Sequence, residues 1–156
     1  MKPFLSLLFA AAVWLAGMLP ASAETRRVDD SASQVLASNI RMKWDSIAPQ
    51  RGAPPTVSGD VGVLVRLATA PWAGRQGRIY LALPAQAGGD ITATWTTQGR
   101  LMPGMLRSGE RTLVFVGLLP GGLLEDTLRL TVRADGGQLT RAEQLNFSFE
   151  VDVESP

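Results

Sequence analysis

The stretch LNFSFEVDV, residues 145–153, carries the most regular pattern in this 156-residue chain. Its five apolar side chains alternate with four polar side chains without exception. Successive side chains of a β-strand point to opposite faces of a sheet, whereas a helix repeats every 3.6 residues. The stretch therefore predicts a strand with one face in a hydrophobic core and the other face in water.

Six more segments have the composition of strands. They span 36–44, 60–69, 77–84, 90–97, 111–119 and 126–134. Most alternate between apolar and polar residues, with Leu128, Leu130 and Val132 of the last segment predicted to point inward. The segment 111–119 is instead apolar on both faces, which predicts a central strand that is covered on each side.

Turns rich in glycine and proline separate these segments, and no helical stripe of ten residues interrupts them. Parallel strands need long crossover connections, usually helices, so short strands joined by turns favour antiparallel pairing. The sequence predicts an all-β fold, an antiparallel two-sheet sandwich of the immunoglobulin-like kind with seven strands. A small barrel or a jelly roll is the alternative.

The first 23 residues have the order of a secretory signal peptide. Lys2 precedes an uncharged apolar run, which ends in the small residues Ala21, Ser22 and Ala23. The run from Phe4 to Leu19 has 16 residues, which is short for a membrane span of about 20. Small residues of the A-x-A type mark a cleavage site. We predict cleavage before Glu24, a flexible leader at 24–39 and a sandwich domain at 40–156. The protein is expected in the periplasm or at the cell surface, with no membrane span after cleavage.

The composition excludes several kinds of chemistry. The chain has no cysteine and no histidine, so disulfides, the usual zinc sites and the common nucleophile–base pairs are all ruled out. Loss of Lys2 with the signal leaves 14 basic and 14 acidic residues, which are interspersed along the chain. A nucleic-acid binder would carry a clustered basic surface. We expect no enzymatic activity, no cofactor, no metal and no nucleic-acid partner.

Two acidic motifs have simple structural interpretations. Glu125 and Asp126 form an adjacent pair before a strand, which we interpret as a solvated turn and not as a catalytic pair. Asp135 is followed by two glycines but lacks the spaced oxygen ligands of a calcium loop. It is therefore predicted to lie in a hairpin turn.

Four residues are candidates for contact with a partner or ligand. Trp72 lies in a turn with Arg75 close by, and either stacks on a ligand or plugs one end of the core. The connection 96–112 contains Met102 and Met105 among other apolar residues. It forms a short edge strand over the core, or its methionines face a partner. Trp95, in phase with inward residues of its strand, is predicted to be in the core.

The layout of the chain resembles that of chaperone–usher fimbrial subunits. It is a small exported all-β domain with a polar leader, whose only apolar residues before Leu36 are Val28, Ala32 and Val35, and it ends on the strand 145–153. In that family an N-terminal extension of one subunit completes the incomplete sandwich of its neighbour. The resemblance implies that 24–39 acts as such an extension and that 145–153 borders the groove that receives one.

Together these features favour a non-enzymatic, exported structural or assembly protein. It would pair with other protein subunits through strand addition, as a fimbrial subunit or an accessory protein. The alternative is a periplasmic β-sandwich module that binds a small ligand or a glycan.

Overall fold

The computed structural model describes residues 24–36, 41–46, 51–52, 55–85, 89–137 and 145–154. Within these ranges the chain forms ten strands and one turn of 3₁₀ helix, Ala70–Trp72, and no α-helix. The strands are β1 Glu24–Arg27, β2 Gln34–Val35, β3 Lys43–Trp44, β4 Thr56–Ala68, β5 Gln76–Ala82, β6 Ile91–Thr97, β7 Gly104–Arg107, β8 Arg111–Leu118, β9 Leu123–Asp135 and β10 Ser148–Val153.

These strands form two antiparallel sheets. The four-stranded sheet has the order β1-β10-β5-β8. The six-stranded sheet has the order β2-β4-β9-β6-β7, with β3 also paired to β4. The predicted all-β class and the two-sheet antiparallel arrangement are confirmed, with ten strands in place of seven.

The core lies between the inner faces of the two sheets. The long strands β4 and β9 pair along all 13 residues of each, and their alternate side chains supply much of the buried surface. Trp95 is buried as predicted, and its indole N–H donates to the carbonyl oxygen of Met102 at 3.0 Å. This hydrogen bond satisfies the only polar group that the buried ring brings into the core.

Strand β10 confirms the alternation of the C-terminal stretch. Phe149, Val151 and Val153 are buried in the core, while Leu145 and Phe147 pack partly buried against it ahead of the strand. Strand β10 is paired on both sides, with β1 and with β5. Its regular pattern therefore belongs to a strand in the interior of a sheet.

The prediction that 111–119 forms a central strand is wrong, because β8 is the last strand of its sheet. The register shifts between Ile79 and Tyr80 of β5, and this irregularity lets the neighbouring residues Val114 and Phe115 both be buried. Farther along, Val116 and Leu118 remain 54% and 59% exposed. The second apolar face of the segment is thus uncovered in the described part of the protein.

The expected flexible leader at 24–39 also differs from the structure, which describes residues 24–36. Strand β1 pairs with β10, and Val28 is completely buried in the core. The chain then crosses to the other sheet, where Asp29 bridges to Ala68 and β2 pairs with β4. We call residues 24–35 the N-terminal clip. Backbone hydrogen bonds and one apolar side chain place it across both sheets.

The predicted first strand, 36–44, is divided in the structure. Strand β2 ends at Val35, just before it, and β3 covers only Lys43 and Trp44, while 37–40 lie outside the described residues. Both short strands pair with the same edge of β4.

Candidate functional site: an open strand edge

The edges of the two sheets differ in how far their backbone groups are covered. Strand β1 carries Glu24, Arg26 and Arg27 among its four residues, and such charges discourage a further strand from pairing. The outer edge of β4 is covered by β2 and β3.

Strand β7 adjoins β8 on its outer side. The backbone N–H of Met102, just before β7, donates to the carbonyl oxygen of Val114 at 2.7 Å. The hydroxyl of Thr112 donates to the carbonyl oxygen of Met105 at 2.6 Å. The two sheets are therefore tied together along this side as far as Val114.

Beyond Val114 the edge of β8 is open. The backbone N–H of Leu119 donates to the carbonyl oxygen of Arg75, the residue before β5, at 2.9 Å. Because backbone groups alternate in direction along a strand, those of Leu118 and Val116 point away from β5. No described strand pairs with β8 on that side. We call residues 115–118 the β8 edge.

The β8 edge is chemically suited to pairing. The surrounding run 113–119, LVFVGLL, contains no charge and no proline, and Val114, Phe115 and Val116 favour extended structure. Gly117 departs from regular strand geometry with a φ of 148°, a conformation that glycine adopts more readily than other residues. An uncharged, exposed strand edge of this kind is a template for another strand.

Arginine side chains border the apolar surface of the β8 edge. Arg78 lies opposite Val116 on β5, and the guanidinium of Arg100 lies 5.6 Å from the centre of the Phe115 ring. The apolar strip is therefore narrow, with polar groups on its flanks.

The structure does not gather the four predicted contact residues into one site. The connection 96–112 contains the short strand β7 at the end of the six-stranded sheet, as one of the two alternatives predicted. Met102 precedes β7 and Met105 lies on it, and they are 37% and 52% exposed. Trp72 and Arg75 instead line a cavity of about 220 Å³ together with residues of β1 and β10. Trp72 also packs partly buried against the core.

A polar cluster spans the outer face of the four-stranded sheet. The guanidinium of Arg111 contacts Asp152 at 3.2 Å and Glu150 at 3.3 Å, and it lies 4.2 Å from the centre of the Tyr80 ring. The hydroxyl of Thr25 donates to Asp152 at 2.6 Å. These contacts join side chains from all four strands of the sheet.

Contacts within this cluster shift the pKa values of Asp152 and Arg111. Partial burial raises the pKa of Asp152, but the hydrogen bonds from Thr25 and Arg111 outweigh it and hold the pKa below its usual value. The same carboxylate raises the pKa of Arg111. Each charged group faces a partner, so the cluster is suited to holding strands together.

The interpretation of the Glu125–Asp126 pair as a solvated turn is wrong for Asp126, which is only 6% exposed on β9. Its carboxylate accepts backbone N–H groups from Leu101 at 2.7 Å, Gln98 at 3.2 Å and Thr127 at 2.6 Å. The side chain organises the turn after β6. Its position in phase with the inward-pointing leucines of β9 was the sequence signal for its burial.

Two further properties of the described residues bear on function. Among the described residues, no group of three or more carboxylates is arranged to hold a metal ion. None of the described segments forms a helix long and apolar enough to cross a membrane. The predicted signal segment, 1–23, lies outside the described residues.

Sequence reasoning missed Val116 and Leu118 because an apolar run on both faces suggested full coverage. No local signal in 113–119 distinguishes an open edge from a covered central strand, because both are uncharged and apolar. In comparisons with known proteins, no family model matches this chain and no curated protein is similar to it.

Proposed function

We propose that this protein is an exported, non-enzymatic assembly protein that joins a second copy of itself by strand pairing at the β8 edge. The observation that supports this most directly is the open, uncharged edge of β8 with two large exposed apolar side chains, Val116 and Leu118. Export rests on the predicted signal peptide, which places the assembly in the periplasm or at the cell surface.

The β8 edge is self-complementary. In an antiparallel pair centred on Gly117, Val116 of one copy lies opposite Leu118 of the other, and the same contact recurs across the twofold axis. Apolar side chains face each other twice, and no like charges in 113–119 oppose the contact. Pairing would extend the four-stranded sheet of each copy into one continuous sheet of eight strands.

This mode of assembly differs from the one implied by the resemblance to chaperone–usher subunits. There, an N-terminal extension fills the groove of a neighbour. Here, the N-terminal clip pairs with β10 of its own chain, and Val28 fills its own core. The proposal keeps strand pairing between subunits, in a fimbrial or accessory role, and assigns it to the opposite edge of the same sheet.

Sedimentation of the purified mature protein over a range of concentrations tests the proposal. We expect the wild type to form dimers and Val116→Lys to remain monomeric, because each lysine would place a charge opposite Leu118 of the other copy, and charged side chains on an edge discourage pairing. Leu123→Lys is the matched control, since Leu123 is 50% exposed but lies on β9 in the other sheet. A wild type that remains monomeric up to about 100 µM would contradict the proposal, because specific pairing requires a Kd below that range.

A further inference from the structure

A cavity at one end of the sandwich combines an aromatic face with groups of both charges. It has a volume of about 220 Å³, and Glu24, Arg26, Pro71, Trp72, Arg75 and Val153 line it. Three separate parts of the fold contribute these residues: β1, the segment around the 3₁₀ turn, and β10. We propose that this cavity binds one sugar ring that carries a carboxylate, such as a hexuronate, independently of strand pairing at the β8 edge.

The core supports the side chain of Trp72, which forms the aromatic side of the cavity. Trp72 packs partly buried against the core, and its backbone N–H donates to the carbonyl oxygen of Thr69 at 2.9 Å. Thr69 is completely buried, and its hydroxyl lies 2.8 Å from the carbonyl oxygen of Pro120. A ring fixed in this way loses little freedom when a ligand stacks on its open face.

The segment that follows Trp72 is also fixed. Arg75 receives a backbone hydrogen bond from Leu119 and donates its own N–H to Trp72 at 3.1 Å. Its guanidinium donates to the carbonyl oxygen of Glu154 at 2.6 Å. Packing against the core therefore positions the aromatic ring, and the hydrogen bond to Glu154 positions the cation, before any ligand arrives.

Arg75 is the group that selects an anion. Arg26 is paired with Glu24 at 2.7 Å, whereas Arg75 forms no salt bridge within the described ranges of the chain. A guanidinium has five N–H donors, so the bond to Glu154 leaves donors for a carboxylate. A ligand carboxylate would supply the negatively charged partner that Arg75 lacks within the described ranges.

The Arg26–Glu24 pair explains why the ligand should also carry hydroxyl groups. Arg26 can only donate hydrogen bonds and Glu24 can accept them, so the rim offers both functions at neighbouring positions. Sugar hydroxyls both donate and accept, and the C–H face of a sugar ring suits the apolar surfaces of Trp72 and Val153. The cavity is smaller than the ~300–1,000 Å³ of sites for drug-sized molecules, which limits it to one ring.

Fluorescence titration with glucuronate and with glucose tests the site. The purified mature protein carries Trp44→Phe, which removes the exposed tryptophan on β3 and leaves Trp72 and the buried Trp95 as reporters. We expect saturable binding of glucuronate and binding of glucose at least about ten-fold weaker, equivalent to one charge-assisted contact. Trp72→Leu, read by calorimetry, and Arg75→Gln should each weaken glucuronate binding by a similar factor.

Several results would overturn the proposal. They are the absence of saturable glucuronate binding up to about 100 mM, equal binding of glucose, or undiminished binding by Arg75→Gln. Arg75 is exposed, so the thermal melt of Arg75→Gln should match that of the parent and exclude unfolding as the cause. Val116→Lys should bind glucuronate normally, which separates failure of this site from failure of strand pairing.

Discussion

Asp126 shows how one carboxylate can organise a turn from inside the core. Three backbone N–H groups converge on it, and those of Gln98 and Leu101 come from the turn after β6. Gly99 makes this approach feasible, because a Cβ there would lie only 3.0 Å from Asp126 Oδ1. The carboxylate is thereby compensated by hydrogen bonds, as a buried polar group must be.

We expect Asp126→Ala to lower the free energy of unfolding by about 2–4 kcal/mol, because three buried or partly buried backbone N–H groups lose the carboxylate as an acceptor. The N–H of Gln98 also donates to the carbonyl oxygen of Thr127 at 3.2 Å, so the loss falls mainly on the other two. Urea denaturation measures this loss. Glu125→Gln is the control from the adjacent position, where the side chain is 51% exposed and pairs with Arg66. It should cost less than about 1 kcal/mol, as exposed ion pairs do. Equal losses for the two variants would contradict the role assigned to Asp126.

Asp152 makes stability depend on pH. Its pKa is lower in the folded protein than its ordinary value of about 3.9. The stabilisation is therefore fully present above pH ~4 and is lost as the pH falls through the lower folded pKa. We expect the wild type to be more stable than Asp152→Asn at pH 7, with the difference shrinking below pH 4. Urea denaturation between pH 3 and pH 7 tests this, and a constant difference would refute it.

At the scale of elements, the N-terminal clip joins the two sheets at the side opposite the β7–β8 connection. The backbone N–H of Val28 donates to the carbonyl oxygen of Phe149 in one sheet at 2.8 Å. The backbone N–H of Ala68 in the other sheet donates to the carbonyl oxygen of Asp29 at 2.9 Å. The side chain of Val28 lies in the core between these two bonds. The clip closes the sandwich where no disulfide is available.

We expect Val28→Ala to destabilise the protein by about 1–3 kcal/mol, because it removes two buried methyl groups and leaves a cavity. Val35→Ala is the matched control in the same clip, since Val35 is 61% exposed. It should change the melting midpoint little, as surface substitutions usually do. A Val28→Ala variant that melts with the wild type would show that the clip does not contribute to stability.

The strands that could be predicted from the sequence are those whose own residues alternate between apolar and polar. Strands β9 and β10 alternate regularly, because each has one face in the core. The clip has no such pattern, and its position depends on open edges at β10 and β4 that lie far away in the chain. Its one local sign was Val28 in a polar stretch.

At the scale of the whole molecule, the two sheets are tied along one side as far as Val114 and along the other by the N-terminal clip. The β8 edge continues past the first of these ties, and no strand in the described part of the chain pairs with it there. Whether an apolar strand is central or at an edge depends on the order of strands in the sheet, which local composition does not determine. For the same reason, the sequence of the turn indicated Trp72 and Arg75 as candidate contact residues, but it could not predict that they line one cavity with residues of β1 and β10.

Amide hydrogen exchange at Val116 and Leu118, followed as the protein concentration rises, tests strand pairing at the β8 edge most directly. Leu119 serves as the internal reference, since its N–H already donates to Arg75 at 2.9 Å. We predict that exchange at Val116 and Leu118 slows with concentration towards that of Leu119, because their N–H groups acquire acceptors on a second copy. Rapid exchange at both positions at every concentration would contradict assembly through this edge.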